Sequence, residues 1–175
     1  AAAIAHARRD AQVWASDVSA EALAVASRNA LRHAVAVRFV QGDWFEGLDR
    51  ERFDLIASNP PYVADADPHL EQGDARFEPP AALLGGPDGM DCIRTIVAGA
   101  PMHLAPGGWL VLEHGYNQGP ACVRLLAGLG YTNVVDTPDL SGLPRVCKGQ
   151  LCEGQRAKVS VRRSVREGQI DAPHR

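Results

Sequence analysis

The stretch "FDLIASNPPYV", residues 53–63, decides how this chain folds. Its first half is almost wholly apolar, which predicts a strand buried in a parallel sheet rather than one that alternates between core and solvent. Its second half stops that strand at once. Neither Pro60 nor Pro61 has an N–H for a sheet ladder, and each restricts the backbone of the residue before it. Outward from this point, short apolar runs alternate with helical periodicity. "AQVWAS" (11–16) and "AVAVRFVQ" (34–41) predict strands, and "SAEALAVASRNALRH" (19–33) predicts a helix between them, capped by Ser19. "GMDCIRTIVAGAPMHL" (89–104) predicts a helix broken by "APGG", followed by a buried strand over "WLVLEHG" (109–115). "GPACVRLLAGLG" (119–130) predicts a helix closed by Gly130, and "YTNVVDTPDLSGLPRVCKG" (131–149) two strands around a turn. Alternation of this kind defines an α/β, Rossmann-like sheet with helices on both faces.

Open α/β sheets bind ligands at the carboxyl ends of their strands. Three polar strand ends follow from the assignment: Asp17, Gly42-Asp43-Trp44 and Asn59 to Tyr62, which are expected to line one crevice. The link from 63 to 88 is too long for a passive connection, and loops of that length are usually functional. Asp17 occupies the place where nucleotide-binding folds put an acid that accepts hydrogen bonds from ribose hydroxyls. It equally suits the start of the helix at Ser19, and position alone does not separate the two roles. Trp44, beside Asp43, offers a flat face for a purine, or else fills the boundary between sheet and helix.

Asn59-Pro60-Pro61-Tyr62 is the specific signal. A planar –NH₂ is a poor nucleophile because its lone pair is delocalised. Two acceptors that bind both of its hydrogens hold the nitrogen and favour positive charge on it during attack. The Asn59 side-chain oxygen and the Pro60 carbonyl supply such a pair, the prolines stiffen the loop in advance, and Tyr62 presents a flat ring to a planar group. The competing reading is a plain strand-ending turn.

Bulk properties remove other classes. The chain has 175 residues, 46% of them hydrophobic and 22% charged, enough for one domain with a sizeable core. No apolar run approaches the roughly 18 residues of a membrane span, and no secretory leader pattern opens the chain, so a soluble, cytoplasmic protein is expected. Residues 1–150 carry twelve basic against eighteen acidic side chains, a balance of −6, whereas residues 151–175 balance at +3. An acidic body lacks the clustered Lys and Arg that phosphate neutralisation needs, so nucleic acid is an unlikely partner. Cys92, Cys122, Cys147 and Cys152 form no C-x-x-C pair, and the histidines show no ligand spacing, so no metal is expected.

"GDWFEGL", "FDLIASNPPYVADADPHLEQGDARFEPPAALLGGPDGM", "GGWLVLEHGYNQG" and "LSGLPRV" together resemble the HemK/PrmC family, the protein-(glutamine N5) methyltransferases of class 1 peptide chain release factors. The resemblance covers roughly 1–149. "HLEQGDARFEP" is its most specific part, since NPPY alone also serves adenine-N6 methyltransferases. It implies a class I methyltransferase domain that uses S-adenosyl-L-methionine. Asp17 would hold the cofactor ribose, with Asp43 and Trp44 beside the adenine. Asn59 would contact both cofactor and substrate amide, and Pro60, Pro61 and Tyr62 would complete the substrate clamp. The implied substrate is the glutamine of a release factor's Gly-Gly-Gln motif.

The family's first strand and glycine-rich loop would lie just before residue 1, so the resemblance implies a catalytic domain at 1–149, cut short at its start. Residues 150–175 read as an unmatched, disordered basic tail. Glu113 and His114 are conceivable as an acid–base pair, but a structural role is favoured, because a methylated amide nitrogen loses its proton readily to water. Arg76, Phe77 and Glu78 are candidates for shaping the substrate groove. The rival readings are an adenine-N6 methyltransferase acting on DNA or RNA, and a non-catalytic remnant of the enzyme.

Overall fold

The computed structural model describes residues 1–71 and 77–152. A short helix, α1 (Ala2–Ala7), leads to β1 (Trp14–Asp17), α2 (Ala20–Arg32), β2 (Arg38–Gln41) and β3 (Phe53–Ser58). Beyond the long link come α3 (Pro80–Leu83), α4 (Asp91–Gly99), a 3-10 turn over Ala100–Met102, β4 (Leu104–Glu113), α5 (Gly119–Gly128), β5 (Tyr131–Pro138) and β6 (Pro144–Leu151). The start of α2 is fixed as its sequence foretells: the Ser19 hydroxyl accepts from the Ala22 N–H at 3.1 Å, and Glu21 places an acid in the first turn. Pro101, which has no N–H, ends the α ladder of α4 and turns the next residues into 3-10 geometry.

The sheet is in two pieces. β1 and β2 pair in parallel, Trp14 opposite Arg38 through Asp17 opposite Gln41. The other four strands run in the order β3-β4-β6-β5, with β3 and β4 parallel and the remaining pairs antiparallel. No strand among the described residues joins β1 to β3. Instead the Trp14 and Phe53 rings meet edge to face, 5.7 Å between centroids.

The core lies on one face of the four-stranded sheet. Ile93, Ile96 and Val97 of α4 and Cys122 and Leu126 of α5 close over Leu110, Leu112 and Cys147, all essentially without exposure. Each such aliphatic side chain contributes roughly 1.5–3 kcal/mol through burial.

The structure departs from the sequence readings at several strands. β3 is not buried on both faces: Leu55 is 47% exposed and Asp54 and Ala57 are open, while Ile56 and Ser58 turn inward. Likewise Trp109, Val111, Glu113, Val146 and Lys148 line the face opposite α4 and α5 and are only partly covered. An apolar run reports that a strand is hydrophobic, not how many of its faces are packed. β2 begins four residues later than expected, because Ala34, at φ +50°, is spent closing the turn after α2. β4 begins earlier than expected, because the strand absorbs "APGG" as a bulge, its pairing jumping from Phe53–Leu104 to Leu55–Trp109. β6 runs on to Leu151, past the expected domain boundary at 149; residues 153–175, the rest of the expected tail, lie outside the described residues.

Candidate active site at the carboxyl ends of the parallel strands

The first two strand ends meet directly. The Gly42 N–H donates to the Asp17 carbonyl at 3.1 Å and the Ser16 hydroxyl donates to the Trp44 carbonyl at 3.1 Å. Gly42 is required by close approach, since a Cβ there would lie 2.5 Å from the Glu46 carbonyl oxygen. Trp44 adopts φ +49°, an uncommon conformation for a bulky residue and a mark of local strain that the surroundings must hold. Its half-buried ring packs on the edge of the core, and the next ring, Phe45, stacks on His103 at 4.8 Å with 3° between the planes. Asp17 is exposed, and its Oδ1 accepts from the Ser19 N–H at 2.8 Å. That is the capping role. Its Oδ2 makes no bond among the described residues. Asp43 is also exposed and sits near the start of α4: burial pushes the Cys92 thiol upward, and the negative charges of Asp91 and Asp43 push it further.

The third strand end is built in the opposite manner, with a free amide on a clamped support. Asn59 is exposed and its side chain bonds to nothing among the described residues, while Pro60 next to it is buried. Tyr62 is held at both ends. Its hydroxyl donates to Glu113 Oε1 at 3.1 Å, and its carbonyl accepts from Gln118 Nε2 at 2.9 Å. Burial, with the Glu113 carboxylate beside it, raises the pKa of the Tyr62 hydroxyl, against the opposing pull of Arg145. The phenol therefore stays neutral and a donor.

Residues 83–90 form the bed for this loop. Val63 donates to the Leu83 carbonyl at 2.9 Å, and Gly85 donates to the Val63 carbonyl at 2.8 Å. A Cβ on Gly85 would come 2.8 Å from the Pro61 oxygen, and one on Gly89 (φ +72°) would overlap the Tyr62 oxygen. The bed is tied to α4 by Arg94, which bridges Asp88 at 2.5 Å and Asp91 at 2.8 Å. The Arg94 guanidinium and the Met90 N–H hold the Asp88 carboxyl below its usual range.

Two clefts lie near these elements. One of about 550 Å³ opens between α2 and the amino ends of β1 and β2, at Trp14 and Arg38, away from every polar strand end. The other, about 270 Å³, is lined by Ala57, Ser58, Asn59, Val111, Glu113 and Val146. Size would select the first. Chemistry selects the second, because it touches Asn59 and opens at the strand carboxyl ends, where α/β sheets hold ligands.

The structure thus brings Asp17 to Gly42-Asp43-Trp44, and the NPPY loop to Glu113 and Gln118. No described bond links Asp17 to Asn59; the α4 segment relates the two groups, with Cys92 in its first turn feeling the charge of Asp43 and the NPPY bed just before it. Glu113 and His114 do not form a pair. Glu113 reaches Tyr62, whereas His114 is wholly buried between Asp136 Oδ1 (3.1 Å) and the Gly115 carbonyl (2.9 Å). Phe77 and Glu78 are exposed, and Arg76 lies outside the described residues. No cluster of His, Cys, Asp or Glu that could hold a metal occurs among the described residues. Sequence reading overlooked Gln118, Gly85 and Gly89. The signal available was the density of glycines in "LLGGPDG" and a glutamine standing where a helix N-cap prefers Ser, Thr or Asp.

An α/β fold with an NPPY loop at the carboxyl end of one parallel strand and an acid at the carboxyl end of another matches the Rossmann-like methyltransferase class. Solved structures agree on the fold. A methyltransferase from Pyrococcus furiosus superposes with a TM-score of 0.62 at 24% identity, over 81% of this chain and 63% of that one. An O-methyltransferase family protein from Burkholderia thailandensis gives 0.61 at 12% identity, over 88% of this chain and 48% of that one. The family described as Methyltransferase small domain matches residues 1–84. A release factor glutamine methyltransferase of Xylella fastidiosa (strain Temecula1 / ATCC 700964) is 56% identical over 155 residues, 88% of this chain and 56% of that protein. One of Neisseria gonorrhoeae (strain ATCC 700825 / FA 1090) is 49% identical over 152 residues, 86% of this chain and 56% of that protein. Over the portion it shares with them, the chain resembles the release factor glutamine methyltransferases, the HemK/PrmC family. It spans about half the length of the curated relatives it matches.

Proposed function

We propose that this protein transfers a methyl group from S-adenosyl-L-methionine to the side-chain amide nitrogen of the glutamine in the Gly-Gly-Gln motif of class 1 peptide chain release factors, with residues 1–149 as the catalytic domain. The observation that carries this reading is the state of Asn59: an exposed amide free of internal bonds, next to a buried proline and a tyrosine fixed at both ends. A polar side chain left open on so rigid a support suits a ligand. The names borne by relatives at 49% to 56% identity support glutamine as the acceptor.

The residues present fit the cofactor. Asp17 has an unused carboxylate oxygen at a strand end, suited to ribose hydroxyls, and the Trp44 ring with Asp43 lies on the adjoining turn. When bound, S-adenosyl-L-methionine supplies a methyl group made electrophilic by the sulfonium. The chain's own residues do the rest. Asn59 Oδ1 and the Pro60 carbonyl accept the two amide hydrogens, hold the nitrogen lone pair in line and stabilise the positive charge that grows there. The Tyr62 ring lies against the planar amide, and its neutral hydroxyl stays bonded to Glu113. The methylated nitrogen then releases its proton to water, so neither Glu113 nor His114 is needed as a base.

No helix among the described residues is long and apolar enough to cross a membrane. The four cysteines are free, which suits the reducing cytoplasm we propose for the protein.

The test is incubation of the full-length protein with methyl-labelled S-adenosyl-L-methionine and, in parallel, a class 1 release factor or duplex DNA. Label on the release factor alone is expected. Label on DNA and none on protein would overturn the assignment in favour of adenine methylation.

A further inference from the structure

We propose that Gln118 is a positioning residue for the NPPY loop, setting the plane of the Tyr62 peptide and through it the Tyr62 ring; this rests on the reading of that loop as the methyl-acceptor clamp. Gln118 is 9% exposed, and its side-chain amide is fully used. Oε1 accepts from the Gly115 N–H at 2.8 Å, while Nε2 donates to the Tyr62 carbonyl at 2.9 Å and to the Asp88 carbonyl at 3.3 Å. One side chain therefore joins the NPPY loop, its glycine-rich bed and the turn after β4. That turn begins at Glu113, which binds the other end of Tyr62.

Local preference argues that the residue is there for this purpose. Gln118 is the N-cap of α5, yet its side chain makes no capping bond to its own helix. Glutamine is a poor N-cap, and Ser, Thr or Asp there would favour the helix by about 1 kcal/mol. A position that gives up local stability while its side chain reaches across the fold is the pattern expected at a functional site. The two sides of the loop also differ. Proline fixes φ at 60 and 61, but nothing in the chain chemistry fixes Tyr62. The Tyr62–Val63 peptide is held at its N–H by the Leu83 carbonyl at 2.9 Å and at its oxygen by Gln118, so without the Gln118 bond its plane is fixed from one side only and the ring can tilt with it. Gly89 confirms how close the fit is: a Cβ on it would stand 2.6 Å from Gln118 Nε2 as well as overlapping the Tyr62 oxygen.

The test uses Gln118→Glu and Gln118→Met in the full-length protein. Glutamate keeps the acceptor for Gly115 and loses the donor to Tyr62. Methionine keeps the approximate shape and loses both. Three readouts are taken: kcat with a release factor, affinity for S-adenosylhomocysteine, and the ¹⁹F spectrum of 3-fluorotyrosine placed at position 62 alone. Both variants should lose about 10- to 100-fold in kcat, with cofactor affinity changed by less than about twofold. The single ¹⁹F resonance of the parent should shift or broaden. A folded variant with parental kcat and spectrum would overturn the proposal, as would lost activity with an unmoved ¹⁹F signal. Unfolding of both variants would assign Gln118 to stability and overturn it too. If the parent protein does not methylate a release factor, the proposed function fails, yet the ¹⁹F comparison still decides whether Gln118 positions Tyr62.

Discussion

Gly89→Ala perturbs the bed of the NPPY loop with one methyl group. At φ +72° the alanine sits in the left-handed region, at a cost of about 1–2 kcal/mol. The new Cβ overlaps the Tyr62 carbonyl oxygen and stands 2.6 Å from Gln118 Nε2 and 3.1 Å from the Tyr62 carbonyl carbon. The two Tyr62 atoms are backbone, and Gln118 Nε2, though the end of a side chain, is tethered by its own hydrogen bonds, so backbone must move and the Gln118–Tyr62 hydrogen bond must lengthen or break. A buried hydrogen bond lost in this way adds roughly 1–3 kcal/mol. The total, about 2–5 kcal/mol, predicts a Tm lower by about 5–15 °C. Activity should fall further than stability suggests, because a loop misplaced by even about 1 Å can reduce turnover on the order of 10²-fold. Gly128→Ala is the control. Nothing lies within 4 Å of a Cβ there, and alanine favours the helix, so Tm should hold or rise slightly. Thermal melts and methyl-transfer rates on both variants decide the matter. Parental Tm and turnover in Gly89→Ala would refute the claim that residues 83–90 set the geometry of NPPY.

Three further outcomes are expected. Asn59→Ala should leave the melting temperature almost unchanged, since the side chain bonds to nothing among the described residues, while kcat falls about 10²- to 10³-fold through loss of an acceptor at the reacting nitrogen; near-parental turnover would make NPPY a plain turn. Asp17→Ala should chiefly weaken binding of S-adenosylhomocysteine in isothermal titration, because a ribose contact is nearly the same in ground and transition states; unchanged affinity would leave Asp17 only its bond to the Ser19 N–H. The Asp139 carboxyl is held below its ordinary pKa by the Leu143 and Ser141 N–H groups, with Arg145 helping. Its stabilisation of the β5–β6 turn is therefore present above the ordinary carboxylate range and lost as pH falls through the lowered folded value. The protection of the Ser141 and Leu143 amides, taken relative to the intrinsic exchange rate at each pH, should fall in acid in the parent and be lower at neutral pH in Asp139→Ala; equal protection in the two proteins would contradict it.

The α/β class was legible because its determinants are local. Ser19 before an amphipathic run, the apolar "FDLIAS" and Gly130 after α5 each act within a few residues of themselves. NPPY was legible for the same reason: two prolines after a strand fix a turn in any fold. Exposure was not legible. "FDLIAS" and "WLVLEHG" read as strands buried on both faces, yet Leu55 and Val111 lie on a face that α4 and α5 do not cover. That depends on neighbours distant in sequence. The "APGG" bulge was missed because a pair of glycines reads as a break, although a long strand can absorb one. Gln118 was missed because its bonds to Tyr62 span 56 positions, and only the folded chain shows them. Asp17 shows the limit from the other side. Position alone did not separate its two possible roles, and the structure shows the bond at the helix start on Oδ1 while Oδ2 makes none among the described residues.

In the proposed reaction the free amide of Asn59, on its clamped loop, receives a glutamine side chain. Tandem mass spectrometry of a class 1 release factor, after incubation with the full-length protein and S-adenosyl-L-methionine, tests this most directly when run beside the same factor with the glutamine of its Gly-Gly-Gln motif replaced by alanine. One added methyl group on that glutamine's side-chain nitrogen is expected, and none on the alanine variant. A methyl group on any other residue, or an equal yield on the alanine variant, would contradict it.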